Sequence, residues 1–301
     1  MIGAFKIGVS AYRGGGGGTP PNPDFVTVWD TTQAGSASDT IVLPMSAGLT
    51  VDWGDGNTDT TNTHTYASGG TYTVTIIGSV TGFRFNNSGD RRKLIEVVNC
   101  GGLVLDNSGV FYGCNNLATW SATDAPSITT TSFYRMFRSC SSLSTPDFSN
   151  WSVSLITNCH ETFKSCSNFN GNISTWELPL MTTANSFLSQ CLVFNQDIGG
   201  LNPSSCTIMF KMMENTDAFD QDISSWDINQ VSSFTSFMLS ATGLSTVNYD
   251  ALLIAWDAQG AMSYSGNVNF GGSQYTSGGA AEAARTSLIT KWGAITDGGA
   301  A

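Results

Sequence analysis

Phe169-Asn170-Gly171-Asn172-Ile173-Ser174-Thr175-Trp176 returns as Phe194-Asn195-Gln196-Asp197-Ile198, and again as Phe219-Asp220-Gln221-Asp222-Ile223-Ser224-Ser225-Trp226-Asp227. Each return comes 25 residues later. A segment recurring at a fixed interval of this size is one structural unit that buries its apolar face against copies of itself. The fold is therefore sought in the repetition before any single element is assigned.

Extending the alignment outward adds a cysteine column, Cys114, Cys140, Cys166 and Cys191, spaced 26, 26 and 25 residues apart and continued by Thr216 and Ala241. Three residues beyond each stands an apolar side chain: Leu117, Leu143, Phe169, Phe194, Phe219 and Leu244. The later units open with apolar residues at i, i+3, i+4 and i+7, as in Phe133, Met136, Phe137 and Cys140 and again in Phe234, Phe237, Met238 and Ala241. This pattern predicts one face of a short helix. An extended run follows, with Phe148, Ile173, Ile198 and Ile223 in one column and Trp151, Trp176, Leu201 and Trp226 in the next. One helix and one strand per unit predict a solenoid in which the tryptophans pack inside, although an exposed Trp would also stack on sugars. Seven cysteines, an odd count with no CxxC pair, predict reduced, buried thiols and neither a disulfide framework nor a zinc site.

Upstream of the repeats, short β-type runs fall at turn-like intervals: Phe25–Trp29, Ile41–Leu43, Leu49–Trp53, Thr63–Tyr66, Thr71–Ile77 and Phe83–Phe85. Tyr72, Val74 and Ile76 alternate with threonines, giving one buried and one wet face. Val51-Asp52-Trp53-Gly54-Asp55-Gly56, with Thr63-His64-Thr65-Tyr66 and Gly70-Thr71-Tyr72-Thr73-Val74, resembles the polycystic-kidney-disease-type (PKD) domain. The glycines suit a turn needing positive φ, and Asp52 and Asp55 suit turn amides better than calcium.

The repeats resemble the BspA-like leucine-rich repeat of bacterial surface proteins, the DUF285 type, through Met136-Phe137-Arg138-Ser139-Cys140 and the three segments quoted at the outset. Together these readings predict a mixed β and α/β fold: an immunoglobulin-like β-sandwich followed by a leucine-rich-repeat-like solenoid with a C-terminal cap. The expected boundaries are 1–24 (anchor and Gly/Pro linker), 25–88 (PKD-like sandwich), 89–247 (solenoid) and 248–301 (capping segment). In the last, Tyr249, Leu252, Leu253 and Trp256 make one helical face, and Ala280–Lys291 reads as a second helix. A chain of 301 residues is expected to hold two or more modules with separate cores.

Only 12% of residues are charged and the net charge is −11, which opposes binding to nucleic acid. No apolar run reaches the roughly 18 residues that would span a bilayer. Arg84, Arg91, Arg92 and Lys93 beside Asp90 read as a solvated joint between modules. Residues 1–13 fit a secretory leader poorly, with Lys6 inside the apolar stretch. Ile2, Phe5, Ile7, Val9 and Tyr12 are instead expected to attach the chain to a neighbour, with Gly14–Gly18 and Thr19-Pro20-Pro21-Asn22-Pro23 as tether.

No catalytic constellation is expected. His64 and His160 lie in different modules, and Cys159 and His160 as adjacent residues point apart. Asp197 and Asp222 recur as a glycosidase pair would, but the columns Asn170, Asn195, Asp220 and Asn172, Asp197, Asp222 read as ladders satisfying backbone amides. The Gly14–Gly18 run lacks the Lys-Ser/Thr of a phosphate loop. No cofactor or metal is expected. The resemblances imply a non-enzymatic surface protein that adheres to a host surface protein or glycan. A bacteriophage virion component (tail-fibre-like, receptor-binding or capsid-decorating), joined to the particle through residues 1–18 and present in many copies or as a homo-oligomer, is the leading expectation. A secreted or cell-surface bacterial adhesin is the alternative, and a glycan-processing enzyme a third.

Overall fold

The computed structural model describes residues 24–259, 264 and 266–301. Residues 1–18, and with them Ile2, Phe5, Ile7, Val9 and Tyr12, lie outside the described residues. The alternating and β-branched runs become β1 (Phe25–Asp30), β2 (Thr40–Val42), β3 (Thr50–Asp52), β4 (Thr58–Asp59), β5 (Thr63–Thr65) and β6 (Thr71–Ile77). β1 and β6 pair antiparallel, Phe25 opposite Ile76 and Asp30 opposite Thr71. This register places Phe25, Trp29, Val74 and Ile76 on one buried face. Phe83 and Phe85 are buried but form no strand.

β7 (Leu94–Asn99) lies on the other side of β1, and after β8 (Val104–Leu105) the short β9 (Thr119–Trp120) adds parallel to β7. The sheet order is therefore β4-β3-β6-β1-β7-β9, with β2 and β5 a separate antiparallel pair. β8 pairs parallel with β10 (Ser127–Ile128). The large sheet crosses the expected boundary at residue 88. The buried apolar side chains form one continuous cluster from Phe25 to Trp292, not two separate cores.

The expected solvated joint is also corrected. Arg84 and Arg92 are exposed, but Lys93 is 0% and Asp90 1% exposed. Lys93 Nζ donates to the carbonyls of Ser36, Ala37 and Thr40 and to Ser36 Oγ at 2.7–3.2 Å. Asp90 accepts Ser36 N, Ser36 Oγ and Val42 N at 2.6–2.7 Å. A side chain at Gly35 would run into the Asp90 carboxylate, so the loop needs glycine at this close approach.

The predicted fold class does not survive in the repeats. The structure is sheet-rich, built of small sheets, and the two α-helices among the described residues both lie in the C-terminal segment. Between residues 129 and 245 the described chain forms neither α-helix nor strand, only turns, isolated bridges and one 3₁₀ turn at Gly199–Leu201. A helix-and-strand solenoid is absent. In Phe133–Cys140 the amides of Met136, Arg138 and Cys140 bond three residues back, to Phe133, Arg135 and Phe137. The alternate amides of Arg135, Phe137 and Ser139 cross instead to His160, Thr162 and Lys164 of the next repeat at 2.8–3.0 Å. Consecutive turns of period four bury i, i+3, i+4 and i+7 just as a helix does, which is why the spacing misleads. Each repeat holds two residues at positive φ four positions apart: Arg135 and Ser139, Glu161 and Ser165, Ser186 and Gln190, Lys211 and Asn215, Ser236 and Ser240. Left-handed backbone costs a non-glycine residue about 1–2 kcal/mol, and full pairing of the amides offsets it. Parallel bridges join Ser132, Asn158, Thr183, Ile208 and Ser233 in series.

In the C-terminal segment α1 (Thr246–Asp257) buries Tyr249, Leu252, Leu253 and Trp256, the expected face. β11 (Gly266–Asn269) and β12 (Gln274–Tyr275) precede α2 (Ala280–Trp292), which packs on α1. β13 (Gly293–Thr296) and β14 (Gly299–Ala300) then pair parallel with β11 and β12. Asp297 fixes this end, accepting Tyr249 Oη at 2.7 Å and both Nε and Nη2 of Arg285 at 2.7 and 3.0 Å.

Candidate functional site

The repeats sort their side chains by column. Phe133, Met136, Phe137 and Cys140 are fully buried, while Tyr134, Arg135, Arg138 and Ser139 between them reach solvent. The four cations between residues 94 and 284, Arg135, Arg138, Lys164 and Lys211, all stand on this outward side of the turns. Three converge on one carboxylate. Arg135 Nε donates to Glu161 Oε2 at 2.7 Å, Arg138 Nη1 donates to the same oxygen, and Lys164 Nζ donates to Oε1 at 3.0 Å. Glu161 is 6% exposed, and the cations cover it. Burial by itself would raise the Glu161 carboxyl, but the hydrogen bonds from Arg135 and Lys164 and the charge of Arg138 hold it below the ordinary carboxylate range.

Aromatic rings flank the cluster. The Arg135 guanidinium lies 4.6 Å from the Tyr134 centroid and 5.8 Å from Tyr112, and Arg138 lies 5.3 Å from Tyr112. His160 meets Tyr134 edge-on at 5.2 Å. Burial first, then the surrounding cations, hold the His160 ring below its ordinary pKa against the pull of Glu161, so it is neutral at neutral pH. Beyond Lys164, a groove of about 370 Å³ is lined by Ser165, Ser167, Gln190, Leu192, Asn215 and Asp217. This cluster was not legible as a site from motifs. Its signal was positional: Arg135 and Glu161, and Arg138 and Lys164, are each 26 residues apart and so share columns.

The singled-out residues fall elsewhere. Cys114, Cys140, Cys166 and Cys191 are free and buried, and the Sγ of Cys140, Cys166 and Cys191 donate to the carbonyls of Phe111, Phe137 and Phe163 at 2.9–3.2 Å. Thr216 continues the column with the same bond, to Leu188 O at 3.2 Å. Burial raises the thiols of Cys114, Cys140 and Cys191 far above their ordinary value. Phe169, Phe194 and Phe219 stack in series with centroids 5.8 and 6.1 Å apart. Trp176 and Trp226 are fully buried and Trp151 is 5% exposed. Trp176 Nε1 and Trp226 Nε1 donate to Phe148 O and Ile198 O of the preceding repeat at 2.9 and 3.0 Å.

Asn170, Asn195 and Asp220 form the amide ladder expected of them: their Oδ1 atoms accept Asn195 N, Asp220 N and Ser245 N at 2.8–2.9 Å. Asn172, Asp197 and Asp222 differ, each accepting the amide two residues on within its own turn. Asp52 accepts Gly54 N, and Asp55 accepts Asn57 N and meets His64 Nε2 at 2.9 Å. Trp53 is buried and stacks on His64. Gly54 has φ +78°, and a Cβ there would strike the Thr73 carbonyl, whereas Gly56, at φ +92°, is open to solvent.

The family described as "Mycoplasma protein of unknown function, DUF285" matches residues 131–250. Residues 131–250 form a DUF285 domain. The DUF285 domain, of the BspA-like family, contains Arg135, Arg138, Glu161 and Lys164 and the ladder Asn170, Asn195 and Asp220, while Tyr112 comes from the repeat just before it. Residues 89–130, the first part of the expected solenoid, fall outside the match. No curated protein and no solved structure matches the chain.

Proposed function

We propose that this chain is a non-enzymatic surface-binding protein whose DUF285 domain presents the outward side of its turns to a host surface protein or glycan. The observation that carries the reading is the Arg135, Arg138, Lys164 and Glu161 cluster with Tyr112 and Tyr134. It places fixed cations and aromatic faces at solvent on a chain that is otherwise acidic. Asp197 and Asp222, the residues a glycosidase reading requires, each hold an amide of their own turn, which supports a structural role for both. In this reading the protein is displayed on a bacteriophage virion, attached through residues 1–18, and the Val51–Gly56 turn with the strands after it belongs to a PKD-type domain. The description of the matching family as a Mycoplasma protein favours a second reading, an adhesin on a bacterial surface.

The test is a saturation experiment with labelled full-length protein on host cells, paired with immunodetection in purified particles and in envelope fractions. Saturable binding supports the surface reading, and the fraction that holds the chain chooses between virion and cell. Failure to bind any host surface would overturn it.

A further inference from the structure

We propose that the Arg135, Arg138 and Lys164 side chains, together with the rings of Tyr112 and Tyr134, form a binding site for an anionic polysaccharide carrying carboxylated or sulfated sugars. This rests on the surface-binding reading and names its ligand. Glu161 uses one donor of each guanidinium: Nε of Arg135 and Nη1 of Arg138. The remaining guanidinium donors have no partner among the described residues. A guanidinium presents five donors in a fixed fork, so most of the hydrogen-bonding capacity of both groups faces outward, held in place by a carboxylate beneath. Fixing the donors beforehand removes the ordering cost that loose surface lysines would incur on binding.

Charge then narrows the ligand. Three cations against one carboxylate leave a local excess of two positive charges, with His160 neutral, on a chain whose net charge is −11. A dense polyanion such as nucleic acid carries a charge every few ångströms and is repelled by the rest of the surface. A chain with one acidic group per few sugars places a single anion on the cluster and neutral sugar elsewhere. The surroundings fit that spacing. The Tyr112 and Tyr134 rings are half-buried, their hydroxyls have no partner among the described residues, and they flank the guanidinium groups. The adjoining groove offers Ser165, Ser167, Gln190 and Asn215 beside Leu192, hydroxyls and amides next to an apolar side chain, as a sugar's two faces require. Asp217 at its far side disfavours a second anion there. Successive paired segments lie about 4.8 Å apart, so the two repeats from Ser165 to Asn215 extend the site by about 10 Å, room for further sugars of one chain.

The experiment is calorimetric titration of the full-length protein with four probes: a hyaluronan octasaccharide (carboxylate only), a chondroitin sulfate octasaccharide (sulfate and carboxylate), an uncharged dextran oligosaccharide and a single-stranded oligonucleotide. At least one acidic octasaccharide binds one to one and weakens with salt, and comparison of the two tells carboxylate from sulfate. Dextran and the oligonucleotide do not bind. Arg138→Gln and Lys164→Gln each weaken binding about tenfold or more, the loss of one charge-assisted hydrogen bond. Tyr134→Ala weakens it without altering the charge, and Arg92→Gln, which removes an exposed cation outside the site, leaves it unchanged. Melting temperatures establish that each variant is folded. Equal affinity for dextran, preference for the oligonucleotide, or parent-like binding by Arg138→Gln, Lys164→Gln and Tyr134→Ala together would overturn the proposal. If the protein binds host cells yet none of the acidic sugars, this inference fails while the surface-binding reading stands.

Discussion

Two ionic clusters in this sparsely charged chain each set a buried carboxylate against cations and have opposite fates. At Asp90 and Lys93, the ammonium meets three carbonyls and a hydroxyl and the carboxylate meets two amides and a hydroxyl, all within the protein. At Glu161, the carboxylate is also buried, but the cations around it reach solvent with side chains 24–33% exposed. What separates a structural charge from a site is therefore not burial of the acid. It is the hydrogen-bonding capacity left over on its partners.

The contrast is broken most severely at the first cluster. Lys93→Ala leaves Asp90 buried without its cation and removes four hydrogen bonds, those to the carbonyls of Ser36, Ala37 and Thr40 and to Ser36 Oγ, and is expected to cost about 3–5 kcal/mol in a urea-unfolding titration. A loss below about 1 kcal/mol would show that water reaches Asp90 and that the two clusters are alike.

Next in size is the backbone that carries the second cluster. Ser139 has φ +62° and no side-chain hydrogen bond among the described residues, so Ser139→Gly is expected to gain about 1 kcal/mol by relieving the left-handed strain. Ser139→Val should lose at least as much. A destabilised glycine variant would mean that the turn at 135–139 is not left-handed in solution.

Acidification sharpens the comparison further. The folded pKa of Glu161 lies below its ordinary value of 4.5, so its contribution to stability is complete above that value and is lost as pH falls through the folded pKa. The folded pKa of His160 lies below its ordinary 6.5, so the unfolded chain takes up the proton first and stability declines as pH falls from 6.5 toward the folded value. Both effects have the same sign. The midpoint of urea unfolding should fall below pH 6.5 and again below pH 4.5, and Glu161→Gln should flatten the lower limb. An unchanged lower limb in that variant would assign the acid sensitivity to other carboxylates.

Smallest is the expected stability effect of Arg138→Gln. Its pair is part-exposed, and the cost should be about 0.2–1 kcal/mol in the same titration. A loss comparable to that of Lys93→Ala would make the Glu161 cluster a structural staple.

Sequence periodicity aligned the buried columns, misjudged the conformation that produces them, and misread Asn172, Asp197 and Asp222 as a ladder between turns. Cys114 through Cys191, the phenylalanine series and the Asn170, Asn195 and Asp220 ladder follow from translation by one repeat, which needs no knowledge of backbone angles. Tyr249, Leu252, Leu253 and Trp256 were read correctly because α1, at 12 residues, is long enough for its period to be unambiguous. The eight residues Phe133–Cys140 are too short to separate a helix from successive turns. The deciding fact, that alternate amides bond the next repeat, is non-local. Non-local too are the pairing of β7 with β1 and the approach of Ser36, Ala37 and Thr40 to Lys93, more than fifty residues away. The Glu161 cluster was within reach of the alignment, had charge been tracked down the columns as closely as apolarity.

Exchange of the side-chain nitrogen protons, followed by nuclear magnetic resonance on the unliganded protein at neutral pH, tests the leftover-capacity claim most directly. The Lys93 ammonium should give a visible, slowly exchanging signal because its acceptors are internal. Arg135 Nε–H should be protected by Glu161, while the outward Nη protons of Arg135 and Arg138 and the Lys164 ammonium exchange at rates typical of exposed groups. Protection of those outward protons equal to that of Lys93 would show that they already have internal partners, and would contradict the assignment of this cluster as the binding site.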